Sequence, residues 1–194
     1  MLHLILGPMY SGKTTLLLSR HERYLLGGKR CLIVKYGNDI RYHEEDICTH
    51  NKHSMKAIRT TLLENIDKLV EKVDVVMIDE VQFYEDAMEF CDRWANQKKI
   101  VECYGLNGDF KREPFEQISL LIPKADHIQH LTAIDRKTGQ DAPFTFRTND
   151  DQQQEVIGGR ELYVAVSRCT YQKMKSQKNR SEMTQIQKVF KKYL

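Results

Sequence analysis

Residues Gly7, Pro8, Met9, Tyr10, Ser11, Gly12, Lys13 and Thr14 satisfy the spacing G-x-x-x-x-G-K-[ST]. An apolar run, Leu2 to Leu6, precedes them, and a helical leucine pattern follows (Leu16, Leu17, Leu18, Leu25). Glycines so spaced let backbone N–H groups converge on phosphate oxygens at a helix N-terminus. The Lys13 ammonium can neutralise the outer phosphates of a nucleoside triphosphate, and the Thr14 hydroxyl can ligate Mg2+. A second chemical feature closes the run Val75 to Ile78: the acids Asp79 and Glu80, at the C-terminal edge of a predicted buried strand, where open α/β sheets place their ligands. Asp79 suits a magnesium shell. Glu80, pointing the other way along the chain, can accept a proton from an attacking hydroxyl or water. A chance Gly-rich turn or an N-cap carboxylate pair explains either feature alone, and neither explains both together.

These groups need a scaffold, and the rest of the chain supplies one. Arg30 to Tyr36 and Ile100 to Leu106 read as further strands. Leu62, Leu63, Ile66, Leu69 and Val70 recur at helical spacing, as do Ala87, Phe90, Cys91 and Trp94. Strands alternating with helices predict an α/β fold: a P-loop (RecA-like) parallel sheet flanked by helices, over residues 1–125. Gly37 to Lys56 is polar and reads as a surface connection. From His127 onward the runs shorten (His127 to Thr132, Pro143 to Arg147, Glu161 to Val166), so residues 126–172 are expected to form a small β-rich lobe, with the linker near Pro123 to Asp126. Residues 173–194 form a basic tail, read as a solvated or mobile C-terminus with no function assigned.

Composition narrows the function classes. In 194 residues, 30 Lys plus Arg stand against 27 Asp plus Glu, a formal charge of +3, which is no polyelectrolyte footprint of a dedicated nucleic-acid binder. No nucleic-acid or membrane partner is expected, and no stretch is long and apolar enough for a span. The five cysteines, Cys31, Cys48, Cys91, Cys103 and Cys169, contain no C-x-x-C pair, which fits a reduced, intracellular setting. With no secretory leader apparent, a cytoplasmic location is expected.

The loop and acid pair leave the phosphoryl acceptor open, since hydrolases, helicases and kinases share them. The remaining segments are more specific: GPMYSGKTT at the start, KYGNDIRY at 35–42, THN at 49–51, DEVQF at 79–83, GLNGDFKREPF at 105–115 and EVIGGRELY at 155–163. Together they resemble the type II thymidine kinases, the cellular and poxviral kind, in order and to about residue 171. The resemblance implies ATP-dependent phosphorylation of the 5′-hydroxyl of thymidine, a salvage step for DNA synthesis. ATP and Mg2+ are the implied cofactors. Glu80 is the implied general base, with Lys13 and Arg41 near the reacting phosphates and Asp39 beside Arg41. The nucleotide is expected on Gly7 through Thr15, including Thr15 itself, with Asp79 and Gln82; Thr14 and Asp79 hold the magnesium, directly or through water. Met9, Leu106, Thr145 and Tyr163 would surround the thymine methyl, and Phe83, Phe110 and Phe115 would wall the nucleoside pocket. The base edge would be read by the backbone of a lasso loop, roughly Phe146 through Ile157 and including Val156. A homotetramer inhibited by the end-product triphosphate is also implied.

The family usually braces its small lobe with zinc on two C-x-x-C pairs. The matching positions here are Asp135, Thr138, Ser167 and Thr170, so no zinc is expected, and packing and hydrogen bonds must hold the lobe. Two rival readings remain. ELYVAVSR at 161–168 also resembles a superfamily 1 helicase motif, which would make the chain a P-loop ATPase fragment. Alternatively, a kinase-derived protein binds nucleotide without turnover.

Overall fold

Short β-branched and leucine runs separated by amphipathic segments assemble a parallel sheet. The computed structural model describes residues 1–37, 46–48, 54–149, 151, 153, 162–178 and 180. Six strands line up in the order β5 (Ile58–Thr60), β2 (Cys31–Tyr36), β6 (Val75–Ile78), β7 (Ile100–Gly105), β1 (Leu2–Leu6) and β8 (His127–His130). Every pairing among them is parallel. Side chains alternate between the faces, as the strand period requires. Val76 and Ile78 enter a core with Phe90 and Trp94 of α3 (Ala87–Asn96) and with Ile118 and Leu121 of α4 (Glu116–Leu121). Val75 and Met77 face the other way, toward Leu17 and Leu18 of α1 (Lys13–Leu26). That doubly covered sheet is the α/β class read from the sequence.

The α1 face also buries a carboxylate. Glu102 on β7 has 0% exposure, and a buried charge needs close partners. The Tyr24 hydroxyl donates to it at 2.6 Å, Arg20 Nη1 at 3.2 Å, and the Tyr104 hydroxyl completes the set. Burial, reinforced by the carboxylate, pushes the Tyr24 phenol far above its ordinary range and keeps it a donor.

The small lobe consists of two antiparallel ribbons, β9 (Ala133–Ile134) with β10 (Asp141–Ala142), and β11 (Phe144–Arg147) with β12 (Tyr163–Val166), followed by a helix, α5, over 168–178. Phe146, Val166 and Tyr171 form its core, with Phe144, Val164 and Met174 packed around them. At the positions matching the zinc cysteines the structure has a carboxylate hub. Asp135, 1% exposed, accepts from the backbone N–H of Ser167 and of Lys137, both at 2.9 Å. The Ser167 hydroxyl meets that of Thr170 at 3.2 Å, and the Thr138 N–H donates to the Asp135 carbonyl at 3.2 Å. Burial alone would raise the Asp135 carboxyl. Hydrogen bonds from the Thr170 and Ser167 hydroxyls and from backbone N–H groups outweigh it and hold the group well below the usual carboxylate range.

Three sequence expectations need correction. His127–His130 is not a lobe strand: it pairs with β1 from His3↔His127 to Leu6↔His130. Its residues are exposed or half-buried throughout, as suits a strand at the sheet edge. The contact with β1 continues past the strand, since the Leu131 N–H donates to Leu6 O at 2.8 Å. The 37–56 connection contains an antiparallel pair, β3 (Asp46–Cys48) with β4 (Ser54–Lys56). The first part of the tail continues α5 as far as residue 178.

Candidate active site

Parallel packing brings the C-terminal ends of β1, β6 and β7 to one edge, and the chemistry gathers there. The loop after β1 begins with Gly7, whose N–H donates to Gly105 O at 3.2 Å. A Cβ on Gly7 would lie 2.6 Å from Ser11 Oγ and 2.7 Å from Leu131 O, so only glycine fits. Gly12 turns the loop into α1 with φ at +84°. The buried Lys13 ammonium folds back over the loop, donating to Gly7 O at 3.0 Å and Pro8 O at 2.9 Å. Thr14 is half-buried and Thr15 exposed on the first turn of α1.

After β6, Asp79 is 8% exposed and accepts the Glu80 N–H at 3.1 Å. Glu80 has φ 52° and ψ 44°, a left-handed backbone that disfavours a non-glycine residue by about 1–2 kcal/mol. The turn projects its carboxylate toward Gln82, whose Nε2 donates to Glu80 Oε2 at 2.8 Å. The Gln82 Oε1 in turn accepts the Leu106 N–H at 3.1 Å. The buried Gln82 amide therefore spans from the acid to the chain just beyond β7. Burial, with Asp79 and Glu80 adding to it, pushes the neighbouring Tyr84 phenol far up, so it stays protonated.

Around the acids stand the aromatics. The Phe83 ring lies 5.3 Å from Tyr36 and 6.0 Å, edge-on, from Phe115, which is itself buried in the main core. The turn carrying Phe110 is organised by Asp109, whose Oδ1 accepts the Lys111 and Glu113 N–H groups, both at 2.8 Å. Hydrogen bonds that tie the lobe to this edge include Met9 N–H to Thr145 Oγ1 at 3.1 Å, Asn107 Nδ2 to Pro143 O at 3.2 Å and the Tyr171 hydroxyl to Phe110 O at 2.9 Å. Thus Met9 meets Thr145, Leu106 meets Gln82, and Phe83 meets Phe115, while Phe110 and Tyr163 meet through Arg147. Arg41, Asp39, Val156 and half of the lasso stretch lie outside the described residues. Sequence reasoning passed over Asp109 and Arg147, and named Asp135 only as a residue standing where the family has a zinc cysteine. A G-D-x-K turn pattern could have flagged Asp109, whereas nothing local marks Arg147.

This edge can hold a nucleoside triphosphate and offers a carboxylate beside it, but the geometry alone does not name an acceptor. The sequence profile of the thymidine kinase family matches residues 1–171. The chain belongs to the thymidine kinase family. Its relatives include the thymidine kinase of raccoon poxvirus, 42% identical over 170 residues covering 88% of this chain and 96% of that one. The thymidine kinase of Yaba monkey tumor virus (strain VR587) is 42% identical over 173 residues, 89% of this chain and 95% of that one. That of vaccinia virus (strain Western Reserve) is 39% identical over 170 residues, 88% and 96% respectively. A solved structure of the replication initiator DnaA bound to AMPPCP and single-stranded DNA overlaps 68% of this chain and 40% of its own, at a TM-score of 0.44 and 14% identity. Within this thymidine kinase family member, the helicase-like ELYVAVSR segment lies largely in the antiparallel ribbon of β11 and β12, and Arg168 is exposed at the start of α5.

Proposed function

We propose that this chain transfers the γ-phosphoryl group of Mg·ATP to the 5′-hydroxyl of thymidine, giving thymidine monophosphate and ADP. The observation that carries the reading is the family match across residues 1–171, over which the phosphate loop and the acid pair are both intact.

The residues present suit ATP and magnesium. Gly7 leaves a cradle that a Cβ would fill, and Lys13 holds its ammonium directly over it. Thr14 and Asp79 supply the hard oxygen donors magnesium prefers. Among the described residues no three His, Cys, Asp or Glu side chains converge on one point, so phosphate and water oxygens would complete the ion's shell. When bound, magnesium neutralises charge across the β and γ phosphates. The Gly7–Thr15 backbone cradles the phosphates, and Lys13 leaves its carbonyl partners to meet them. Glu80, held by Gln82, takes the proton of the attacking 5′-hydroxyl, and Arg41 joins Lys13 in stabilising the migrating charge. Met9, Leu106, Thr145 and Tyr163 surround the base, with Phe83, Phe110 and Phe115 as walls. An apolar slot gains only about 1–3 kcal/mol from one methyl group, so the preference for thymine over uracil is modest. We extend the proposal to a cytoplasmic homotetramer inhibited by the end-product triphosphate.

The test incubates purified protein with Mg·ATP and, separately, thymidine, deoxyuridine, deoxycytidine or buffer, and quantifies monophosphate and ADP. Thymidine-dependent monophosphate is expected. ADP without monophosphate would refute the acceptor assignment.

A further inference from the structure

Arg147 is 1% exposed. Guanidinium groups are almost never found so deep unless their whole fork of N–H donors is met. Arg147 ends β11 directly opposite Tyr163 on β12. Its Nε and Nη2 donate to the Tyr163 hydroxyl oxygen at 3.1 and 2.7 Å. Its Nη1 donates to Asp151 O at 3.0 Å and also to Gln153 O. Its Cζ lies 3.9 Å from the centroid of the Phe110 ring, within cation–π range. One side chain thus joins three segments: the returning strand β12, the chain just beyond β11, and the 105–115 segment. These carbonyl and phenol acceptors orient the fork so that its plane lies against the Phe110 ring. A lysine cannot replace it, since a single ammonium has no plane to stack and no second nitrogen to divide between carbonyls and phenol.

We propose that Arg147 is the positioning residue of the acceptor pocket: it sets the rotamer of Tyr163, the seat of Phe110 and the exit path of the chain after β11, and so governs nucleoside affinity. This rests on the kinase reading above. The bonds that secure the phosphate loop, Gly7 to Gly105, Lys13 to Gly7 and Pro8, and Met9 to Thr145, do not involve the Arg147 side chain, and only the last reaches β11. Loss of Arg147 therefore acts chiefly on the nucleoside and only weakly on the nucleotide.

The experiment measures steady-state kinetics of the full chain, varying thymidine and ATP separately, for the wild type and for Arg147→Ala, Arg147→Lys and Tyr163→Phe. Arg147→Ala and Arg147→Lys are expected to raise the thymidine KM about tenfold or more, with the ATP KM within about twofold. Added methylguanidine should lower the raised KM of Arg147→Ala and leave that of Arg147→Lys unchanged, which a merely structural role would not produce. Should either arginine variant fail to fold, Tyr163→Phe removes only the accepting hydroxyl and is expected to raise the thymidine KM about threefold or more. An unshifted thymidine KM, or equal rises for both substrates, overturns the inference while wild-type turnover leaves the kinase reading standing. A wild type that makes no thymidine monophosphate overturns both.

Discussion

Replacing Glu80 with glutamine tests the proposed proton acceptor while changing almost nothing else. The substitution keeps side-chain volume, and glutamine tolerates the left-handed backbone at φ 52° and ψ 44° no better and no worse than glutamate. The Gln82 Nε2, 2.8 Å from Glu80 Oε2, decides the outcome. To keep that bond the new amide must place its oxygen where Oε2 stood, so its NH2 stands where Oε1 was. A donor then faces the hydroxyl that must lose its proton. Loss of a positioned general base lowers kcat by roughly 10²- to 10⁴-fold, or about 2.7–5.5 kcal/mol in the barrier. The fold should lose no more than about 1 kcal/mol, because a charged hydrogen bond becomes a neutral one. Rapid-quench single-turnover measurement of thymidine monophosphate isolates the chemical step, with ATP affinity measured in parallel by titration. A single-turnover rate within about threefold of the wild type would refute the assignment, since no general base is worth so little.

Other outcomes follow from neighbouring contacts. Gly105→Ala would put a Cβ 2.8 Å from Gln82 Oε1 and 3.0 Å from Val81 Cγ1; the displaced amide should lower kcat more than about tenfold, and unchanged kcat would remove Gln82 from the account. Asp135, its carboxyl held below the ordinary carboxylate range, contributes stability that is complete above about pH 4 and is lost as the pH falls through its folded value. The wild type should thus lose Tm in acid more steeply than Asp135→Asn, which should be less stable at neutral pH by about 1–3 kcal/mol; calorimetry showing equal acid slopes would contradict the hub. Glu102→Ala, which strands Tyr24, Tyr104 and Arg20, should destabilise by about 3–5 kcal/mol in denaturant unfolding. A loss under about 1 kcal/mol would mean the network is ornamental.

The sheet was readable wherever burial on both faces wrote a near-continuous apolar run, as in Val75–Ile78 and, broken only by His3 and Glu102, in Leu2–Leu6 and Ile100–Gly105. The phosphate loop and acid pair were readable because glycine spacing and strand ends are local signals. Short edge elements were not. β5 is three residues, and β3 and β4 are three each, too brief for a period to register. His127–His130 read as a lobe strand because a short, polar, exposed edge strand carries no core pattern that ties it to the main sheet. The helical spacing of Tyr171, Met174 and Lys178 was present, yet the charged residues between them read as a tail. Arg147, and the hydrogen-bonding role of Asp135, were invisible for a different reason: they depend on partners 16 and 32 residues away, and a charged residue in sequence reads as surface.

The bond from Met9 N–H to Thr145 Oγ1 joins the loop proposed to cradle phosphates to the ribbon proposed to lie beside the base. Any shift of the loop as it closes on a triphosphate is felt at β11, and any ordering of β11 around a nucleoside is felt at the loop. Linkage makes such an influence symmetrical: whatever factor one ligand adds to the other's affinity is returned in equal measure. Thr145→Val removes this contact and is expected to weaken that thermodynamic cooperativity, with the Asn107–Pro143 bond remaining, and the order in which the two substrates prefer to bind would relax toward random.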